Sequence, residues 1–151
     1  MPRWCFAAVG LLLACVAHRR LEQVQALSDE GKELYSKYRQ FMTEGQQDQF
    51  LDLPSDEERG QFIAALKIEE RLARYPRYIQ EAIWSQEVVP GMDREAVLLT
   101  WSTPMLREWD EQELAKGNEV ERWSYRRFDQ LVQVILTNGV VTSVERAETQ
   151  Q

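Results

Sequence analysis

The chain has 151 residues, of which 44% are hydrophobic and 28% are charged, and its formal net charge is −7. A chain of this length buries about two-thirds of its unfolded surface, which supports one domain or a domain with a helical extension. The acidic balance argues against a nucleic-acid partner, and one histidine with two cysteines cannot build a multi-histidine or cysteine-rich metal site, so we expect no metal and no cofactor.

Residues 1–14 have the pattern of a bacterial signal peptide. Arg3 precedes an uncharged apolar run at 4–14, which is shorter than the about 20 residues that a membrane-spanning helix needs. The run ends in Leu12-Leu13-Ala14-Cys15, which resembles a lipoprotein lipobox. This resemblance implies cleavage before Cys15, attachment of diacylglycerol to its sulfur, and acylation of the new amino group by a fatty acid such as palmitate. An ordinary secretory signal and a buried N-terminal helix are the alternatives.

The residue after Cys15 indicates whether a lipoprotein is sorted to the inner or the outer membrane. Asp at that position resembles an inner-membrane retention signal, whereas this chain has Val16. We therefore expect a lipid-anchored protein at the cell outer membrane, facing the periplasm. Processing would remove Cys5 and lipidate Cys15, which would leave no free thiol for catalysis. His18 is interpreted as part of a membrane-proximal linker rather than as a catalytic base.

Residues 15–87 are predicted to form a helical segment. Apolar residues recur at three- and four-residue spacing over 16–45, which predicts a helix with a core-facing stripe. A coiled-coil or partner-binding seam is the alternative interpretation of that stripe. Residues 46–53 are predicted to be a polar break.

Two further helices are predicted in this segment. Ser55 and Glu58 have the spacing of a capping box, so the acidic residues beside them are interpreted as a helix cap rather than a metal or catalytic cluster. Pro76 opens a shorter helix. The apolar residues expected on the buried faces are Phe62, Ile63, Leu66, Leu72, Tyr75, Ile79, Ala82, Ile83 and Trp84.

Residues 88–146 change to the pattern of a small α+β module. Asp93 is a suitable N-cap for a helix that ends before Pro104, and Met92 with Val97 forms a hydrophobic-staple pair. An antiparallel meander of three to four strands is expected to follow this helix. The fold class is therefore α+β, with an N-terminal helical segment before the module.

The strands are predicted from patterning with a period of two and from one turn signal. Asn138-Gly139 is typical of a type I′ hairpin, and the two strands that it joins are expected to lie in the interior of the sheet. Asp110 to Asn118 is predicted to be a loop, and 147–151 a polar tail. The predicted strands are 105–109, 120–128, 131–137 and 140–144.

Aromatic and basic residues interleave in the second predicted strand. In a strand this alternation places the aromatic residues inward and the arginines outward, rather than forming a surface on which bases stack. The residues concerned are Trp123, Tyr125 and Phe128, with Arg122, Arg126 and Arg127. A paired-carboxylate hydrolase that uses Asp110, Glu111 and Glu113 is an alternative, but consecutive acidic residues favour a solvated loop.

A set of residues within 91–144 forms a pattern that is shared with a known family. These residues are Gly91, Met92, Val97, Pro104, Trp123, Tyr125 and Asn138-Gly139-Val140. The pattern resembles that of SmpA/OmlA, the BamE-like small lipoproteins of the outer-membrane β-barrel assembly machinery, together with the related β-lactamase-inhibitor-like fold. Ser102 stands where that family commonly has glycine.

The resemblance and the lipobox together imply a non-enzymatic envelope lipoprotein that acts as an adaptor or structural component of an outer-membrane assembly. A periplasmic binding or inhibitor module is the alternative, and a carboxylate enzyme is a second one. Membrane contact would occur through the lipid anchor, and an envelope protein would be the partner. Trp84, Trp101 and Trp109 are candidate partner-binding residues because tryptophan is enriched at interface hot spots, although core packing would also explain each.

Overall fold

The computed structural model describes residues 19–146. The signal peptide, the lipidation site Cys15 and the polar tail, all predicted from the sequence, lie outside these residues. The fold is α+β, with helices in the N-terminal part and a four-stranded antiparallel sheet at the C-terminus, which confirms the predicted fold class. Within residues 19–146, every helix is too short or too polar to cross a bilayer.

The chain divides into two compact units, Met1–Ile68 and Glu69–Gln151, called the first and second unit below. This division lies earlier in the chain than the composition change near residue 88. The first unit contains a helical stretch at 19–26, then α1 (Asp29–Tyr38), a 3-10 turn (Arg39–Phe41), α2 (Glu44–Asp52) and α3 (Asp56–Ala65). The chain continues through α4 (Ile68–Leu72), α5 (Arg77–Trp84), α6 (Arg94–Trp101), β1 (Leu106–Trp109), α7 (Glu111–Ala115), β2 (Val120–Arg127), β3 (Gln130–Thr137) and β4 (Val140–Arg146).

The single helix predicted over 16–45 is interrupted at Leu27 and Ser28. Ser28 is the N-cap of α1, and its hydroxyl accepts a hydrogen bond from the backbone N–H of Gly31 at 2.9 Å. The prediction missed the break because a new helix that begins at a cap can keep the same apolar spacing.

The predicted polar break at 46–53 is wrong, because α2 occupies this part of the chain. Thr43 and Gln46 form a capping box: the Gln46 N–H donates to Thr43 Oγ1 at 3.3 Å, and the Thr43 N–H donates to Gln46 Oε1 at 2.9 Å. Only Phe50 and Leu51 of α2 are buried, and most of its other side chains are polar. The sequence therefore lacks the regular apolar spacing that predicts a helix.

Asp56 links the first turn of α3 to the cap of α1. The Ser28 hydroxyl donates to Asp56 Oδ2 at 2.6 Å, and Arg59 Nη1 donates to Asp56 Oδ1 at 2.7 Å. These two bonds hold the pKa of the Asp56 carboxyl below its usual range. Ser55 caps α3, accepting from the Glu58 N–H at 3.2 Å. The second bond of the predicted capping box is replaced by one from the Ser55 hydroxyl to Glu58 Oε1 at 3.2 Å.

In the second unit, Asp93 caps α6 through a bond from the Ala96 N–H to its Oδ1 at 2.8 Å. Met92 and Val97, the predicted staple pair, are both fully buried. The helix ends at Ser102, whose φ of +65° and ψ of −155° lie in a region that is essentially reserved for glycine. A glycine would adopt this conformation without strain.

Replacing Ser102 with glycine is expected to raise the free energy of unfolding of the second unit by about 1 kcal/mol. Glycine relieves a backbone strain of about 1–3 kcal/mol and loses part of that gain through its greater freedom in the unfolded chain. Hydrogen exchange of the α6 amides would measure the change. Thr103→Gly is the control, since its φ is not positive, and it should lower stability. Equal effects of the two changes would contradict the strain at Ser102.

The sheet has the order β1-β2-β3-β4, and all neighbours are antiparallel. The Asn138-Gly139 hairpin is confirmed, with φ of +52° and +78°. A second two-residue turn, Phe128-Asp129, joins β2 to β3 with φ of +48° and +63°, and the sequence carries no usual signal for it.

The expectation that β3 and β4 are both interior is wrong for β4, because β2 and β3 are the inner strands. Residues 91–93 cover part of the β4 edge: the Gly91 N–H donates to the Val141 carbonyl at 2.9 Å, and the Val141 N–H donates to the Met92 carbonyl at 2.8 Å. Residues 131–137, which carry no charge, belong to β3, an inner strand of the sheet. The edge strand β4 contains the charged residues Glu145 and Arg146.

Candidate partner-binding surface

The strand β1 forms one edge of the sheet, and all four of its residues are exposed. Leu106 is 51% exposed and Trp109 50%, and Met105, immediately before the strand, is 65% exposed. Large apolar side chains that gather in this way on one edge are typical of an interaction surface. We call Met105–Trp109 the β1 edge.

The register of β1 determines which face each of its side chains occupies. Arg107 is paired with Trp123, and Leu106 with Ser124. Because side chains alternate along a strand, Arg107 and Trp109 share the face of Trp123, and Leu106 with Glu108 occupies the other face.

Arg107 lies over the buried ring of Trp123, with its guanidinium carbon 4.1 Å from the ring centroid. A guanidinium held on an aromatic face keeps N–H donors at its rim. Among residues 19–146, Arg107 makes no ion pair with a carboxylate. The partner-binding residues predicted from the sequence did not include Arg107, because its contact with Trp123 depends on the pairing of two strands.

A buried ionic group holds Trp123 beneath Arg107. Glu121 is 3% exposed; its Oε2 accepts from Trp123 Nε1 at 3.0 Å, and its Oε1 accepts from Arg94 Nε at 2.6 Å. The bond from Arg94 to Glu121 raises the pKa of the Arg94 guanidinium. Burial raises the pKa of the neighbouring Tyr125 phenol, so this tyrosine remains neutral.

Of the three predicted partner-binding tryptophans, only Trp109 lies on the β1 edge. Trp101, at the end of α6, packs edge-to-face on Tyr125 with ring centroids 5.3 Å apart, and its Nε1 donates to the Gln86 carbonyl at 2.9 Å. Trp84 is the last residue of α5 and is half-buried. The core-packing alternative therefore describes Trp101, whereas Trp109 keeps an accessible ring.

Two placements predicted for the second strand are wrong. Arg127 shares the face of Trp123 and Tyr125, because these positions are separated by even numbers of residues. Its guanidinium carbon is 5.3 Å from the centroid of the Trp101 ring. Phe128 is 91% exposed rather than inward, because it lies in the turn after β2.

The acidic residues proposed as an alternative hydrolase site belong to α7 and its cap, where the sequence predicted a loop. Asp110 Oδ1 accepts from the N–H groups of Gln112 and Glu113, each at 3.1 Å. Glu113 accepts from Lys116 Nζ at 2.7 Å, and this bond lowers the pKa of the Glu113 carboxyl. Within residues 19–146, no cluster of three histidine, cysteine or acidic side chains could hold a metal ion.

No known protein family, curated protein or solved structure matches the chain. The resemblance of residues 91–144 to the SmpA/OmlA lipoproteins stays a prediction from the residues that carry it.

Proposed function

We propose that this chain is a non-enzymatic lipoprotein of the outer membrane whose second unit binds another envelope protein, as an adaptor or structural component of an assembly. The observation that carries this proposal is the β1 edge, where Trp109 and its apolar neighbours are at least half exposed. The free backbone groups of an edge strand can pair with another chain, and large exposed apolar side chains mark protein interaction sites. An exposed apolar edge therefore supports a role in binding.

The anchor in this proposal rests on the sequence alone. The order of Arg3, the apolar run and Ala14-Cys15 is that of a lipobox. Each buried methylene contributes about 0.8 kcal/mol, so several acyl chains hold a protein far more firmly than one chain does. Such an anchor would keep the second unit near other components of the envelope.

The anchor is tested by metabolic labelling with a fatty-acid analogue in a Gram-negative host. We expect label on the parent chain and on the Cys5→Ala control, and loss of label in Cys15→Ala, because only Cys15 would be acylated. Labelling of Cys15→Ala at the parent level would contradict the lipobox interpretation.

The binding role is tested by placing a photo-crosslinking amino acid at position 109 of the full-length chain in cells. Glu145, exposed on β4, supplies the matched control position. Crosslinks from position 109 to subunits of the barrel-assembly machinery would support the adaptor. A crosslink to a soluble periplasmic enzyme would support the inhibitor alternative instead. Absence of any crosslink specific to position 109 would contradict the proposed binding role.

A further inference from the structure

The two edges of the sheet differ in how they are covered. Residues 91–93 pair with β4 through two backbone hydrogen bonds and a bridge between Asp93 and Val140. Among residues 19–146, no strand pairs with the outer side of β1. An additional strand can therefore pair with this sheet at the β1 edge.

The hydrogen-bonding pattern shows which backbone groups of β1 are free. The Asp110 N–H donates to the Val120 carbonyl at 2.9 Å, in register with the pairing of Glu108 and Arg122. Because backbone groups of an antiparallel strand alternate in direction, those of Arg107 and Trp109 point away from β2. These N–H and C=O groups are where an added strand would bond.

We propose, building on the partner-binding function above, that the β1 edge accepts an extended segment of a partner protein as a fifth strand, with a carboxylate opposite Arg107 and an apolar side chain on Trp109. In this mode the main-chain bonds supply affinity, and alternate side chains supply specificity.

Side-chain spacing supports this pattern. Directly opposed residues on neighbouring antiparallel strands have Cβ atoms about 4.5–5.5 Å apart. A segment in which an acidic and an apolar residue are two positions apart would therefore place its carboxylate beside the guanidinium of Arg107. Its apolar side chain would cover Trp109, which is 50% exposed.

Charge selects the residue that faces Arg107. Arg107 makes no ion pair within residues 19–146, so a carboxylate opposite it is favoured over a cationic side chain. Glu108, the other charged residue of β1, lies on the opposite face of the sheet. A second copy of this chain is a poorer occupant, because symmetric pairing at Arg107 would oppose two arginines and like charges destabilise a strand pair.

The probe is a short acetylated peptide. Valine, glutamate and valine occupy alternate positions, on the face that Arg107 and Trp109 share, and threonines occupy the positions between them. The peptide is added to the full-length lipidated chain in detergent micelles. We expect binding by the parent chain and about ten-fold weaker binding by Arg107→Ala, because a charge-assisted hydrogen bond is lost. Arg107→Glu should prefer the same peptide with lysine in place of glutamate. Arg146→Ala, at the end of β4, is the control and should bind as the parent does.

Strand addition is separated from simple charge attraction by N-methylation of the peptide. Bound peptide should slow the hydrogen exchange of the Arg107 and Trp109 amides. Methyl groups on the peptide amides that face β1 should abolish both the binding and this slowing. Methyl groups on the opposite set of amides should leave both effects intact. Equal binding by the two methylated peptides would overturn the fifth-strand geometry.

Two other occupants are distinguishable in the same experiment. Displacement of the peptide by phosphatidylglycerol vesicles, or a dimer that Arg107→Glu dissociates, would overturn the proposed occupant in favour of a membrane surface or a second copy. Specific crosslinks from position 109 without peptide binding would overturn strand addition while leaving the partner-binding function. Failure of both would overturn the two proposals together.

Discussion

Replacing Phe50 with alanine is expected to lower the free energy of unfolding of the first unit by about 3–5 kcal/mol. Phe50 is fully buried, and its ring centroid lies 5.7 Å from that of Tyr35 and 6.2 Å from that of Phe62. The change removes the buried apolar surface and both ring contacts, and it leaves a cavity that the surrounding helices fill only in part.

Hydrogen exchange of the amides of α1, α2 and α3 would measure this loss. Gln49→Ala is the matched control, since the residue precedes Phe50 in the same helix and is exposed, and it should change stability by less than about 0.5 kcal/mol. A loss below about 1 kcal/mol in Phe50→Ala would show that Phe50 does not hold these helices together.

Glu121→Ala is expected to cost the second unit about 1–3 kcal/mol, the range for leaving a buried hydrogen-bond donor without its acceptor. The change removes the acceptor of the Trp123 indole N–H, and Trp123 is fully buried. It also removes the carboxylate that pairs with Arg94. Glu121 therefore helps to hold Trp123 beneath Arg107.

Glu119→Ala provides the control for this prediction. Glu119 Oε2 accepts from the same Arg94 side chain at 3.4 Å, but its side chain is 55% exposed, so its removal should cost less than about 0.5 kcal/mol. Glu121→Gln keeps an acceptor for Trp123, so its loss of stability should lie between those of Glu121→Ala and Glu119→Ala. Urea unfolding monitored by exchange of the β2 and β3 amides tests the series, and equal losses in the two alanine variants would refute the assignment.

The parts of the fold that the sequence predicted are those set by neighbouring residues. Ser55 and Asp93 were identified as caps because the donor of each capping bond lies three residues further along the chain. The Asn138-Gly139 turn was identified because both positions require positive φ, which these residue types tolerate. Short-range chemistry of this kind is visible in a sequence.

The rest depended on contacts between distant residues. Burial of the β4 edge comes from residues 91–93, far earlier in the chain. Arg107 became a candidate binding residue only when the register placed it on Trp123. The helix α2 was missed for a different reason, since its polar exposed face outweighed a short apolar stripe.

The division of the chain into two units has a spectroscopic consequence. Trp84, Trp101, Trp109 and Trp123 all belong to the second unit, and residues 19–68 contain no tryptophan. If the signal peptide is removed as proposed, Trp4 leaves with it. Tryptophan emission from the mature chain would then report on the second unit alone, so the unfolding of one unit could be followed without any label while the other changes.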